Sequence, residues 1–324
     1  MALALRRRQA QPVRPDLLAE ELGVPLQQVL AAMDELGRLG YLIESHPMQG
    51  LRLIEAPPAL SAGEVACDLA TSRIGRRVRC VATTTSTNDL AWEAADREGD
   101  GADGLAILAE HQRAGRGRRG NRWLAPPHTS ILCSVIVWVP PTPMQGGLLT
   151  RTTAVAVAEA IEGQCRLSVG IRWPNDLVVE DLKVAGILVE ARPVTDGMGP
   201  AVIGVGINCV QEAEAFPPDI RAGAASLAML GADVDRTLLA RGLLERLDHA
   251  VARMAGDGAE EIREEAARRC RTLGRWITVS DGDGTFSGEV LGLDPDYELV
   301  LRSAEGGVRR FAAMTTHVVA ENGV

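Results

Sequence analysis

Apolar positions follow different periods in successive parts of the chain, and each change of period marks a change of structure. Over residues 25–39 they recur at Leu26, Val29, Met33 and Leu36, the spacing of one helical face. A shorter helix, Asp16–Leu22, precedes it and stops at Gly23; Pro25 suits the first turn of the second helix and Gly40 the position past its end. YLIE at 41–44 and LRLIE at 51–55 then flank SHPMQG, the pattern of a two-stranded wing. These elements predict a winged helix-turn-helix over residues 1–58, with APPALSAG at 56–63 as a proline-rich linker.

Residues 59–271 alternate strand and helix patterns. Strands are expected at Arg79–Ala82, Leu105–Ala109, Ile131–Val139, Val169–Trp173, Leu177–Val179, Lys183–Glu190 and Ala201–Val205, with a turn at Glu180, Asp181 and Leu182. Helices are expected at Asp89–Arg97, capped by Ser86, Thr87 and Asn88, at Leu149–Glu162, and over Thr237–Cys270 with a split near Gly256–Gly258. That alternation predicts an α/β domain with a mixed sheet. From 272 to 324 the texture changes to short strands (WITVSDG, TFSGEVLGLD, YELVLRS, VRRFAAM) between Gly/Asp turns, which predicts a small antiparallel barrel.

Composition adds limits. With 46% hydrophobic and 24% charged residues in 324, the chain is globular and long enough for two or three domains. It has no apolar run of about 18 residues, and MALALRRRQA carries no stretch resembling a signal peptide, so a soluble, cytoplasmic protein without membrane contact is expected. Six dispersed cysteines and five dispersed histidines contain no CxxC or HExxH, which argues against disulfides and structural zinc.

The net charge of −9 hides an asymmetry. Residues 111–158 contain no acid but carry Arg113, Arg116, Arg118, Arg119, Arg122 and Arg151, so a +6 stretch sits in a remainder of −15. Such a patch on an acidic protein points to an anionic ligand. Within it, GRGRRG at 115–120 matches GxGxxG by letter, yet Pro126 and Pro127 bar the helix a dinucleotide fold needs, and the next acid is Glu159. A glycine-rich loop bearing forked guanidinium donors and Trp123 suits a phosphate or carboxylate that must be shielded from water; a solvated arginine loop is the alternative.

The segment WPNDLVVEDLKVAGILVE at 173–190 holds the only lysine, Lys183, among 34 basic residues. Either it is a solvated hairpin lysine, or it occupies a site where a compact ammonium must lie between anionic oxygens and a planar fork will not fit.

Taken together, GRGRRGNRW, WPNDL with LKVAGIL, TTTSTN at 83–88, EHQRAGRGR at 110–118 and GVGIN at 204–208 resemble a biotin protein ligase, and the order of parts resembles the bifunctional bacterial ligase/repressor type with an SH3-like C-terminal barrel. The resemblance spans nearly the whole chain. It implies a two-step reaction: biotin and Mg²⁺-ATP give biotinyl-5′-AMP and pyrophosphate, and a lysine of a biotin carboxyl carrier domain, as in acetyl-CoA carboxylase, then takes the biotin. By the same resemblance Ser86, Thr87, Asn88 and Gln112 would contact biotin, and Arg116, Gly117 and Arg118 would wrap its carboxylate and the adenylate phosphate. Lys183 would bridge carboxylate and α-phosphate; Trp123 would pack near adenine; Gly115, Arg119, Asn175 and Asn208 would complete the nucleotide site. No dedicated metal cage is expected, because Mg²⁺ would be held through phosphates and water. Asp176 is a candidate to deprotonate the incoming lysine, or equally a hydrogen-bond or metal support. Arg172 and Asn121 depart from the family pattern, one by keeping charge and one by losing it. A lipoate or octanoate ligase, a regulator that senses biotinyl-AMP, and a nucleic-acid binder using the 113–122 loop are the rival readings.

For the N-terminal unit, operator binding would fall to Gln27, Gln28 and Arg52, since residues 1–60 carry six arginines against seven acids and lack the usual basic footprint. A retained fold with a structural role is the alternative. Homodimerisation on adenylate formation is implied by the resemblance alone.

Overall fold

The computed structural model describes residues 1–140, 145–192, 197–254, 258–282 and 284–322. The N-terminal unit holds α1 (Ala2–Arg6), α2 (Pro15–Leu22), α3 (Leu26–Arg38) and the antiparallel hairpin β1 (Leu42–His46)–β2 (Gly50–Glu55). Helix α2 ends where Gly23 turns left-handed at φ +63. The unit has its own small core around Leu5, Val13, Leu18, Val29 and Leu51. Helix α1 is not among the expected elements, and one expectation needs correction. Helix α1 carries no cap or periodic signal that the sequence could show. On α3 only Val29 is buried, while Leu26 stays 44% exposed and Leu30 48%, because α2 covers a narrower stripe than the full helical repeat.

The unit is fastened through charge. Arg6 is buried, with Nε 3.0 Å from Glu64 Oε1 in α4 (Ala62–Ala66) and Nη1 2.8 Å from Asp235 Oδ2.

The central sheet comprises β3 (Arg77–Thr84), β4 (Leu105–Gln112), β5 (Ser130–Val139), β6 (Gly170–Arg172), β7 (Asp176–Val179), β8 (Leu182–Ala191) and β9 (Gly199–Asn208), ordered β3-β4-β5-β9-β8-β7-β6. Only β3 and β4 run parallel; helix α5 (Thr87–Glu98) connects them, and the remaining pairs are antiparallel. The mixed sheet is therefore observed. Six of its strands are longer than the sequence pattern suggested, since pairing carries β9 on to Asn208 and β4 to Gln112, while β6 is shorter than the expected Val169–Trp173.

Strand alternation explains the layering. Leu108, Val135 and Val137 face the large core beneath α6 (Gln145–Cys165) and α7 (Arg236–Ala252), whereas Ile107, Ile136 and Val202 face α5, whose buried apolar residues are Ala91, Ala94 and Ala95, flanked by the partly buried Leu90 and Trp92. Small residues let α5 approach the sheet closely. Helix α8 (Gly258–Arg269) follows α7 and opens at the last residue of the split expected near Gly256–Gly258, the rest of which lies outside the described residues.

Strands β10 (Trp276–Ser280), β11 (Thr285–Leu293), β12 (Leu299–Arg302), β13 (Val308–Phe311) and β14 (His317–Asn322) form an antiparallel sheet ordered β13-β12-β11-β10-β14. Its inner residues Ile277, Val279 and Leu299, with Tyr297 from the turn between β11 and β12, belong to the same core as the central sheet. An expected boundary at residue 271/272 thus passes through continuous packing. Among the described residues no helix is long and apolar enough to cross a membrane.

Buried Asp248 on α7 accepts backbone N–H bonds from Ser72 at 2.8 Å, Arg73 at 3.0 Å and Ile74 at 2.7 Å. Burial alone would raise its carboxyl, but these donors outweigh that and hold it below the ordinary value of 3.8. Its stabilisation is therefore present above that value and is lost as pH falls through the lower folded value. Replacing it with alanine orphans three N–H groups, and chemical denaturation of Asp248→Ala at neutral pH should show a loss of about 1–3 kcal/mol, shrinking in acid.

Candidate functional site

The register of β3 against β4 pairs Thr84 with Gln112, which brings the loop after β3 beside the end of β4 at the carboxyl ends of the two parallel strands. There Ser86 caps α5, its Oγ accepting from Asn88 N at 3.3 Å. Thr87 donates to Gln112 Oε1 twice, from N at 2.7 Å and from Oγ1 at 3.0 Å. With its oxygen committed, Gln112 has its amide nitrogen left to donate. Buried Ser134 on β5 lies 2.6 Å from both Thr87 Oγ1 and Asn88 Oδ1, and Asn88 Nδ2 donates to Glu190 at 2.9 Å. Asn88 is thus spent on protein partners, and its part is to hold the turn.

These residues form one end of a cavity of about 670 Å³, and the basic loop forms its rim. Ser86, Thr87, Asn88, Gln112, Arg116, Gly117, Arg118, Arg119, Trp123, Asn175, Asp176 and Lys183 all line it, so twelve of the expected site residues are brought together. Gly115 is buried beneath the loop, accepting from Trp123 N at 2.9 Å. Asn208 falls outside the cavity. It lines an adjoining hollow of about 630 Å³ and is held by Ala225 O at 3.1 Å and Gln211 Nε2 at 2.9 Å.

The arginines are distributed differently from the expected single patch. Arg116 pairs with Asp89 at 2.6 Å and lies 3.6 Å from Glu190, so carboxylates from outside the acid-free stretch do compete for it. Burial would lower its guanidinium, but Asp89 outweighs that and raises it. Arg118 reaches Asn175 Oδ1 at 3.3 Å and the carbonyls of Ala313, Met314 at 3.1 Å and Thr316 at 3.2 Å; burial, then Arg119, lowers its pKa. Arg119, at φ +56, donates to Thr315 O. Arg151 is absent from the cavity: it sits on α6 with Nη1 2.7 Å from Pro295 O.

Lys183 Nζ lies 2.6 Å from Asp176 Oδ1 and 5.8 Å from the centre of the Trp123 ring. Asn175 is fixed reciprocally to β8, donating to Ile187 O and accepting from Ile187 N, both at 3.0 Å. The peptide bond between Trp173 and Pro174 is cis. The expected turn after β7 is made by Glu180 and Asp181, both left-handed at φ +51 and +63, and Leu182 already belongs to β8. Sequence reasoning missed Ser134, Glu190, Asp89 and the 313–316 carbonyls. All act across long sequence distances: Glu190 closes the 173–190 segment and Asp89 follows TTTSTN, but neither string shows the partner it meets. Among the described residues no cluster of His, Cys, Asp and Glu could hold a metal by itself.

Gln27 and Gln28 are exposed on α3, and Arg52 is occupied by Glu44, with Nε 3.0 Å from Oε2.

Residues 80–208 match the model of the Biotin/lipoate A/B protein ligase family. The chain is 30% identical to the bifunctional ligase/repressor BirA of Bacillus spizizenii over 298 residues, 91% of each chain. It is 35% identical to the biotin–[acetyl-CoA-carboxylase] ligase of Mycobacterium tuberculosis over 230 residues, covering 69% of this chain and 80% of that one. In fold it is similar to a biotin protein ligase from Aquifex aeolicus solved with biotin and ATP, at a TM-score of 0.63 and 22% identity, covering 75% of this chain and 98% of that one. The GRGRRG loop and the lone lysine therefore meet in a cavity within a chain alignable almost end to end with such enzymes, and the chain belongs to the biotin protein ligase family.

Proposed function

We propose that the chain is an ATP-dependent biotin ligase that forms biotinyl-5′-AMP and transfers biotin to a lysine of a biotin carboxyl carrier domain. One observation carries the reading: a single cavity has hydrogen-bonding groups suited to a neutral ring at one end, Arg118 and Lys183 beside Asn175 and Asp176 at the other, and Arg116 on the rim. A ureido ring offers a carbonyl and two N–H groups to Ser86, Thr87 and the free Gln112 amide, whereas a lipoyl dithiolane offers none. Biotin is favoured over lipoate for that reason, and a competition between the two should be won by biotin.

In the first step a biotin carboxylate oxygen attacks the α-phosphorus of ATP, the new acyl–phosphate bond forms, and pyrophosphate leaves with the electrons of the α–β bridge. Two anions must approach, so preorganised positive charge is required where they meet. Lys183 Nζ supplies it, released from Asp176, with Arg116 and Arg118 closing the loop over the product. Trp123 and Asn175 face the nucleotide from the same wall; Asn208 supports that wall from behind. Mg²⁺ would be carried mainly by phosphates and water, with Asn175 and Asp176 as the side chains that could support it, and it would neutralise phosphate charge. In the second step the carrier lysine attacks the acyl carbon, AMP departs, and Asp176, no longer paired with Lys183, receives the amine proton.

The organisation that fits this role is a winged helix-turn-helix over 1–58, a catalytic domain over 59–271 and an SH3-like sheet over 272–324. Its partners are the carrier domain and a second copy of the chain. A second role, operator binding, is favoured by the BirA relative, whose match covers 91% of this chain and so cannot leave out the whole N-terminal unit. Because Arg52 is neutralised by Glu44, the contact would rest on Gln27 and Gln28.

Pyrophosphate release should require both biotin and ATP and be followed by labelling of a carrier domain. Lys183→Arg should melt like the parent yet lose adenylation by about 100-fold or more, because the fork cannot sit between two oxygens; normal activity in that variant overturns the lysine's role. A gel shift with operator DNA should appear only with biotinyl-5′-AMP and weaken steeply with salt; no shift at low salt leaves ligation as the sole activity.

A further inference from the structure

Three hydrogen bonds hold Trp173 and Pro174 from the side away from the cavity, and all come from residues beyond 271. Trp173 N donates to Thr272 Oγ1 at 3.1 Å, Trp173 Nε1 donates to Tyr297 O at 3.0 Å, and Tyr297 OH donates to Pro174 O at 2.9 Å. Trp173, Thr272 and Tyr297 are all buried, with Tyr297 at 0% exposure. Nothing in the ligase chemistry described above uses Tyr297.

Its backbone makes the residue more telling. Tyr297 sits in the turn between β11 and β12 at φ +69, a conformation glycine adopts freely and a bulky residue seldom does. The turn is tied by Tyr297 N to Asp294 O at 3.0 Å and by Arg151 to Pro295 O at 2.7 Å. A large side chain at such a position persists only when its surroundings hold it there. Here the holding contacts are those with Trp173 and Pro174. Burial raises the phenol well above its ordinary value, so it remains a donor across the working pH range.

Downstream of this clamp lie Asn175, which meets Arg118 and Ile187, and Asp176, which pairs with Lys183. The groups at the other end of the cavity depend on different supports: Ser134, Glu190 and Gln112 hold Thr87 and Asn88, and none of them touches the clamp. We propose that Tyr297 is a positioning residue for the adenylate-forming step, fixing the Trp173–Asp176 turn so that Asn175, Arg118 and Lys183 are aligned on the nucleotide. The proposal rests on the ligase reading and adds to it a residue that never meets the substrate.

Tyr297→Phe removes one oxygen, keeps the ring and leaves Pro174 O without its donor. The test measures biotin-dependent ATP–pyrophosphate exchange over a range of ATP, biotin affinity by calorimetry without ATP, and thermal melting. Since a misplacement of about 1 Å can cost about 100-fold, kcat/KM for ATP should fall by about tenfold or more while biotin affinity stays within about twofold. Exchange unchanged within about twofold, or biotin affinity falling in parallel with it, overturns the proposal. Should Tyr297→Phe fail to fold, Trp173→Phe, which removes the indole donor to Tyr297 O, is read by the same criteria. Absence of exchange in the parent protein defeats the ligase reading itself. Amide exchange then decides the clamp: faster exchange over residues 173–188 in Tyr297→Phe supports it, and unchanged exchange sinks it.

Discussion

The site depends on the absence of side chains at the centre of the sheet. Gly186 on β8 faces Gly206 on β9 directly, and Gly204 lies two residues further along. A Cβ on Gly206 would stand 2.5 Å from Trp123 Cε2, one on Gly204 2.5 Å from Asn88 Oδ1, and one on Gly186 3.0 Å from Trp123 Cζ3. Glycine within a strand costs roughly 0.5–1 kcal/mol in backbone entropy. Here that cost opens the floor on which the indole and the asparagine lie. Lys183 follows from the same opening, because its ammonium packs over Trp123 only where the strand beneath is bare.

The chain's preference for arginine has a structural side. Arg236 reaches Glu110 Oε2 and Ser130 O at 2.7 Å each and Pro58 O at 2.8 Å; Arg241 gathers the carbonyls of Glu64 and Val65; Arg118 gathers three from the 313–316 segment. Each fork satisfies several buried acceptors at once, which an ammonium on a single stem does less well. Arginine joins parts that lie far apart in sequence, and lysine is kept for the one place where bulk is a hindrance.

Much of this was legible in the chain. Short apolar runs bounded by turns located the seven central strands, β5 and β9 being buried on both faces. The STN turn, Gln112, the GRGRRG loop and WPND with Lys183 were each readable as local strings, and the register of β3 against β4 turned them into one cavity. What stayed hidden was long-range. Nothing near Ser134 or Glu190 marks them as partners of Asn88, and Tyr297 reads as an ordinary strand-edge aromatic until its φ and its partners are known. Arg151 was grouped with the loop arginines by proximity in sequence, yet the helix turns it toward Pro295. On α3 the periodicity was correct while the burial was not, because periodicity names a face and says nothing of whether a neighbour covers it.

The Lys183–Asp176 pair also bears on the fate of reactive intermediates. A mixed anhydride acylates whatever amine it meets, and apart from its amino terminus this chain offers one, tethered to a carboxylate inside the candidate cavity. Arginine, protonated throughout the neutral range, is a poor nucleophile. The surface side chains are therefore inert toward stray activated vitamin, and amine-directed reagents applied to the folded protein have a single side chain by which to report whether that cavity is open or filled.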